Sequence, residues 1–289
     1  VAAVMLAVEL LMFEWKPRSL IPVAVASVTA ATAHHWMLPP APLFPVPEHA
    51  DFIGGQGMLS CVVIGLSAGM LSAALTAAVY ASEDAFHRLP IHWMWWPAIG
   101  GLAIGVGGLL FPEALGVGYG TIETLLTGDA PLRIIAGVLL VKSTIWAVSL
   151  GSGTSGGVLA PLLMMGAAMG ALEAGVLPGG DASLWPLIGM GAILGGTMRS
   201  PLTGVVFVLE LTHDTNIMLP LLAAVMVAHG FTVLTLRRSI LTEKLSRRGH
   251  HLAREYAVDV LEGTLVRQGM RTDLVAIPAD ATLAQLARV

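Results

Sequence analysis

Long runs without a charged side chain constrain the fold of this chain more than any other feature. Five runs that contain no Asp, Glu, Lys or Arg cover residues 52–82, 89–112, 144–172, 182–198 and 215–236. An α-helix needs about 20 predominantly apolar residues to cross the hydrocarbon core of a bilayer, where only helices and closed barrels satisfy their own backbone. Because 55% of the residues are hydrophobic and 12% are charged, the sequence predicts a multi-pass helical protein of the lipid bilayer.

The distribution of positive charge predicts the orientation. Basic residues cluster immediately after the last apolar run, at Arg237, Arg238, Lys244, Arg247, Arg248 and Arg254. By the positive-inside rule, the C-terminal end is expected in the cytoplasm. The chain begins at Val1 within an apolar run and stops at Val289 within a soluble pattern, so we expect it to be a fragment of a longer protein.

The apolar runs differ in length, and the shorter ones are informative. We expect the end of a helix over 1–13 and long helices over 19–38, 54–81, 93–110, 131–150 and 217–236. Shorter runs bounded by Gly or Pro cover 158–172, 184–198 and 201–213, and a short amphipathic piece covers 239–248. Pairs of helices that end within the membrane commonly form ion-binding sites. After residue 256 the pattern is that of a strand, a turn and the start of an amphipathic helix.

A glycine-rich segment, residues 151–161 with the sequence GSGTSGGVLAP, directly precedes one of the short apolar runs. Glycine lets a backbone turn sharply and approach a ligand closely. The following helix would present unpaired N–H groups and the positive end of its dipole, which together suit an anion. Small residues also form tight helix packing in membranes, so the spacing alone leaves both interpretations open.

Four ordered blocks resemble the CLC family of chloride channels and chloride/proton antiporters. The segment GVLAP at 157–161 is similar to the family's G-x-F-x-P motif, and the segments at 198–212, 116–120 and 239–245 follow the family's order. Residues from 270 resemble the start of a CBS domain, an adenosine-binding module. The resemblance implies an all-α integral membrane protein with a CLC-type inverted-repeat bundle and broken helices, followed by the start of an α/β CBS domain. The implied regions are a transmembrane part (1–250), a linker (251–269) and a truncated CBS domain (270–289).

The resemblance also implies the site residues. The backbone amides of Val158 and Leu159 would coordinate a central chloride, within an anion loop that includes Gly156, Gly157, Ala160 and Pro161. The family's Phe is Leu159 here, which matters little for a backbone contact. The family's Tyr at the inner end of the site aligns with Leu241, so the inner part of the site is expected to hold the anion less tightly.

Transport mode depends on the first residues of the chain. Residues 1–10 resemble a family helix that ends in a Glu-Glu pair in many antiporters, whose second glutamate relays protons. Glu9 takes the first position and Leu10 the second. A leucine cannot carry a proton, so the resemblance implies channel-like or weakly proton-coupled transport unless Glu9 or Glu14 substitutes.

The resemblance further implies a homodimer in which each subunit has its own pore. It implies an adenosine nucleotide at a complete CBS domain and no cofactor in the membrane region. We expect no metal site, no catalytic residue and no nucleic-acid partner. An alternative function is secondary transport of another anion, built with the same broken helices.

Two intramembrane features allow more than one interpretation. Lys142 within an apolar run either raises the local anion potential or pairs with a carboxylate such as Glu210 or Glu173. Gly65-Leu-Ser-Ala-Gly69 fits the nucleophile pattern of serine hydrolases, but that motif requires a strand-to-helix turn. Within a continuous apolar helix, small residues around Ser67 favour helix packing over an intramembrane serine hydrolase.

Overall fold

A computed structural model of the chain describes residues 1–9, 17–37, 41–49, 53–236 and 240. These residues form a bundle of helices and contain no strand. The predicted helix 239–248, of which only Ile240 is described, and the predicted CBS domain lie outside the described residues. The helices are α1 (Ala2–Glu9), α2 (Pro17–Met37), α3 (Gly54–His87), α4 (Trp96–Leu110), α5 (Tyr119–Leu126), α6 (Leu132–Gly137), α7 (Ser143–Gly151), α8 (Leu159–Glu173), α9 (Leu184–Met198), α10 (Pro201–Thr212) and α11 (Met218–Thr235).

Four of the described helical segments are long and apolar enough to cross a membrane: Gly54–His87, Trp93–Leu110, Leu132–Gly151 and Met218–Thr235. The second is α4 preceded by a 3₁₀ turn at Trp93–Trp95, and the third joins α6 to α7 through a π-helical turn at Val138–Lys142. All four were predicted, with boundaries that differ by a few residues. Large apolar side chains such as Leu109 and Leu234 are exposed on the outside of the bundle, as expected of a surface that faces lipid.

The three shorter apolar helices, α8, α9 and α10, were also predicted. Every residue of α9 is buried, which explains why its sequence is apolar on all sides. At 1.5 Å per residue, its 15 residues extend about 22 Å, less than the roughly 30 Å hydrocarbon core. This helix is therefore the centre of the bundle and not a lipid-facing span.

The helical conformation is interrupted between α9 and α10, and two residues produce the interruption. Arg199 takes a left-handed conformation with φ of 57°, which ends α9, and Pro201 begins α10, where the missing proline N–H costs nothing. The Arg199 guanidinium donates hydrogen bonds to the carbonyl oxygens of Thr232 and Leu236 in and after α11. These contacts tie the α9–α10 break to the C-terminal end of α11.

The glycines of the hydrolase-like pattern are packing residues, as the alternative interpretation predicted. A Cβ atom added at Gly65 would lie 2.6 Å from the Ala224 carbonyl oxygen of α11, and one added at Gly69 would overlap the Phe231 ring. The absence of side chains at these positions lets α3 and α11 approach closely.

Candidate functional site

The glycine-rich segment forms a loop between α7, which ends at Gly151, and α8, which begins at Leu159. Gly153 has a φ of 81°, a left-handed conformation that glycine adopts without steric cost. The Ser152 hydroxyl donates to the Ser149 carbonyl oxygen at 2.7 Å and lies 2.9 Å from the Thr154 hydroxyl. The loop is thereby anchored to the last turn of α7 before it turns into α8.

The first turn of α8 presents backbone donors. The Leu162 N–H donates to the Val158 carbonyl oxygen at 3.2 Å, which is the first hydrogen bond of the helix, and Pro161 has no N–H. Among the described residues, the N–H groups of Val158, Leu159 and Ala160 have no hydrogen-bond acceptor. A helix start of this kind carries partial positive charge. The predicted anion-loop residues are thus brought together at one helix end.

A cavity of about 190 Å³ lies beside this loop. That volume is several times the roughly 30 Å³ that a water molecule occupies in the liquid. Gly156, Gly157 and Pro161 line it from the loop, and Lys142, Trp146 and Ser149 line it from the helix before the loop. A Cβ atom at Gly157 would meet no atom within 4 Å, so this glycine faces open space.

Lys142 lies in the π-helical turn between α6 and α7, and only 5% of it is exposed. Its ammonium group donates to the carbonyl oxygens of Ala114 at 2.6 Å and Gly116 at 2.8 Å. Of the two interpretations of Lys142, the carboxylate pair with Glu210 or Glu173 is wrong, because among the described residues its partners are these two backbone carbonyls. π-helical turns are frequent at functional sites.

Glu9 has a defined structural partner. Its carboxylate accepts hydrogen bonds from the N–H groups of Leu202 at 3.0 Å and Thr203 at 2.6 Å, and from the Thr203 hydroxyl at 2.8 Å. An acidic side chain at this place caps the first turn of α10 and complements its dipole. The other positions that bear on transport, Leu10, Glu14 and Leu241, lie outside the described residues.

Ser67 lies within α3, not at a strand-to-helix turn. Its hydroxyl donates to the carbonyl oxygens of Val63 and Ile64 one turn earlier, at 3.0 and 3.1 Å. Within the part of the chain that the structure describes, no histidine contacts Ser67, so the arrangement of a hydrolase nucleophile and base is missing there.

A polar cluster that the sequence did not reveal joins three loops at one end of the bundle. His49 Nδ1 lies 2.6 Å from Asp214 Oδ2, and His49 Nε2 lies 3.1 Å from the Ser183 hydroxyl. Asn216 donates through its side chain to the His49 carbonyl oxygen at 2.9 Å. His49, Ser183 and Asp214 are each less than a tenth exposed. We call this group the His49 cluster; it ties the segment before α3 to the start of α9 and to the α10–α11 loop.

The His49 cluster predicts a measurable stability effect. Asp214 Oδ1 accepts a hydrogen bond from the backbone N–H of Asn216 at 3.1 Å. Asp214→Ala would therefore remove the carboxylate partner of both the His49 ring and this N–H. We expect a loss of about 2–4 kcal/mol in the free energy of unfolding, measured as thermal denaturation in detergent. Asp181→Ala is the matched control because Asp181 is exposed in the same region, and it should change stability by less than about 0.5 kcal/mol. Equal effects of the two substitutions would contradict the cluster's role.

These features define a class of protein: a multi-pass helical membrane protein whose central helices are broken and whose α8 start adjoins a cavity. Residues 1–233 match the family described as voltage gated chloride channel. The chain therefore belongs to the voltage-gated chloride channel (CLC) family, which confirms the resemblance found in the sequence.

Two of the curated relatives come from bacteria. The chain is 31% identical over 232 residues to a putative chloride channel protein ClcB-like of Ralstonia nicotianae, covering 78% of this chain and 54% of the relative. It is 31% identical over 216 residues to the voltage-gated ClC-type chloride channel ClcB of Salmonella typhimurium, covering 73% of this chain and 52% of the relative. The chain thus spans about half the length of these relatives.

Solved structures show the same fold at lower sequence identity. A slow cyanobacterial Cl⁻/H⁺ antiporter superposes with a TM-score of 0.70 at 21% identity, covering 86% of this chain and 60% of the antiporter chain. A CLC-type fluoride/proton antiporter superposes with a TM-score of 0.69 at 22% identity, covering 80% and 58%. The helical fold class predicted from the sequence is confirmed for the described residues, and the protein is an integral membrane protein.

Proposed function

We propose that this protein carries chloride or a similar small anion across a membrane. The observation that carries the proposal is the start of α8, where the N–H groups of Val158 and Leu159 have no acceptor among the described residues. Backbone donors stabilise an anion without a buried counter-ion and without regard to the side chain at either position. The loop residues Gly156 and Gly157 leave room for the anion because they add no side chains.

The surroundings of the α8 start support an anion over a cation. Lys142 brings a positive charge to the cavity wall next to the loop, and among the described residues no carboxylate lines that cavity. Curated relatives are named chloride channels, and family membership makes transport, not catalysis, the expected activity. The anion site itself is our assignment to Val158 and Leu159, with Ala160 and Pro161 completing the turn.

The transport mode we propose is channel-like or weakly proton-coupled. Glu9 accepts three hydrogen bonds at the start of α10. Protonation of its carboxylate would weaken these hydrogen bonds. A capping carboxylate is therefore a poor proton carrier. The position that would follow it in a glutamate pair is Leu10, which has no titratable group. We also propose a homodimer, a cytoplasmic C-terminal end and adenosine nucleotide binding by a complete CBS domain.

One experiment tests both the anion and the mode. In proteoliposomes that contain the full-length protein, an outward chloride gradient should drive anion flux and little uphill proton movement. Nitrate, fluoride and sulfate tested in parallel would separate chloride transport from transport of another anion, because a dedicated fluoride or sulfate carrier would prefer that ion. Absence of flux for every anion would refute the proposed function. Strong uphill proton movement by the unaltered protein would refute the proposed mode, and its persistence after Glu9→Gln and Glu14→Gln together would place the proton relay at another residue.

A further inference from the structure

A buried lysine lines the cavity beside α8, and no carboxylate of the described residues makes an ion pair with it. Lys142 is buried in its wall, and the two acceptors of its ammonium group, the carbonyl oxygens of Ala114 and Gly116, are neutral. Glu113, which directly precedes Ala114 in the chain, makes no ion pair with Lys142. Since an ammonium group has three N–H donors, one remains for a further acceptor.

The rest of the cavity wall is mostly apolar. Ile104, Ile145 and Leu150 line it together with the Trp146 ring, whose Nε1 donates to the Gly157 carbonyl oxygen at 3.3 Å. Apolar walls lower the local dielectric and strengthen the field of a buried charge. They offer no hydrogen bonds to replace a lost hydration shell, so an anion that gives up water easily is favoured over a strongly hydrated one.

We propose that this cavity is an additional station for a small, weakly hydrated monovalent anion, held by the Lys142 ammonium group beside the amide site. The proposal rests on the proposed function, since the station would supply anions to the start of α8 through the open side of Gly157. It takes chloride, bromide, iodide or nitrate and discriminates against fluoride, whose hydration is stronger. Lys142 thereby holds the loop at Ala114 and Gly116 and attracts the anion with the same group.

Binding can be measured without transport. Iodide quenches indole fluorescence on contact, and Trp146 lines the cavity. The full-length protein in detergent is titrated with iodide at constant ionic strength, and the signal of a Trp146→Phe variant is subtracted to isolate this ring among the seven tryptophans. We expect a saturable component for the parent protein. Chloride should displace iodide from it, and fluoride should do so poorly.

Three substitutions at Lys142 separate charge from hydrogen bonding. Lys142→Gln keeps N–H donors for the two carbonyls but removes the charge, and it should raise the half-saturating iodide concentration about tenfold. Lys142→Arg keeps the charge and should stay within about threefold of the parent. Lys142→Met removes both and should bind iodide no better than the Gln variant. Thermal midpoints of all variants establish that each is folded.

A second test leaves Lys142 in place, in case its variants do not fold. Ser149→Asp puts a carboxylate in the cavity wall and should weaken iodide quenching as much as Lys142→Gln does. Ser149→Asn is its neutral control and should retain binding. Iodide binding unchanged in both Lys142→Gln and Ser149→Asp would overturn the station. Binding lost in Lys142→Met but kept in Lys142→Gln would reduce Lys142 to a structural role and overturn it as well.

The outcomes also separate this proposal from the function on which it rests. If the parent protein shows saturable quenching that depends on Lys142 but no flux in liposomes, the station stands and the transport function fails. If the parent protein carries anions but its quenching is linear in iodide, the transport function stands and the station fails.

Discussion

Leu159→Pro is expected to lower anion flux in proteoliposomes by about one to two orders of magnitude, whereas Leu159→Met and Leu159→Phe are expected to retain it. The proline removes one N–H from the start of α8, and a hydrogen bond to a charged group is worth about 1.5–3 kcal/mol, or roughly 10- to 150-fold in binding. Methionine and phenylalanine keep the N–H and change only the side chain, which the proposed contact does not use.

The position of Leu159 in α8 determines how well proline can be accommodated there. Leu159 is the first residue of α8, where proline fits a helix. Val158 has φ of −100° and ψ of −36°, a conformation that a following proline disfavours, so some local strain is expected. Size-exclusion profiles and thermal midpoints of the parent and all three variants are the necessary control. Parent-like flux in a folded Leu159→Pro protein would remove the backbone amide of Leu159 from the anion site.

The long helices could be predicted from the sequence because one physical requirement determines them. A continuous apolar run of about 20 residues crosses lipid as a helix, since a barrel strand needs only about 10 residues of alternating character. The predictions for 54–81 and 131–150 accordingly match Gly54–His87 and Leu132–Gly151 apart from their ends. The π-helical turn within the second span was not predicted, because residues 138–141 are all apolar and a shift of helical register leaves no trace in a run without polar residues.

The start of α8 was likewise visible in the sequence, since glycine, proline and an apolar run are local signals of a helix start after a turn. The partners of the polar side chains were not visible. Glu9 caps a helix that begins at Pro201, and His49 contacts Asp214, which is 165 residues further along the chain. No local spacing encodes such contacts, because they exist only after the helices pack. Lys142 was singled out as an intramembrane charge, but the predicted carboxylate partner was wrong, because its carbonyl partners depend on the fold of the loop at Ala114.

The substitution with the largest expected effect on folding is Gly170→Ala at the crossing of α8 and α9. A Cβ atom at Gly166 would lie 2.6 Å from the Gly189 carbonyl oxygen, and one at Gly170 would approach the Trp185 carbonyl oxygen more closely still. These neighbours are backbone atoms of the most buried helix, so no side chain can rotate away. Forcing the helices apart would break contacts along the whole crossing.

We expect Gly170→Ala to lower the free energy of unfolding by about 3 kcal/mol or more, and Gly170→Leu to prevent accumulation of folded protein. Gly230→Ala in α11 is the matched control, because a Cβ atom there meets nothing within 4 Å. Alanine in a helix interior is favoured over glycine by roughly 0.5–1 kcal/mol, so this variant should be as stable as the parent or slightly more stable. The parent, Gly170→Ala and Gly230→Ala proteins are compared by thermal denaturation in one detergent. A Gly170→Ala protein as stable as the Gly230→Ala protein would mean that α8 and α9 do not cross as closely as the structure has them.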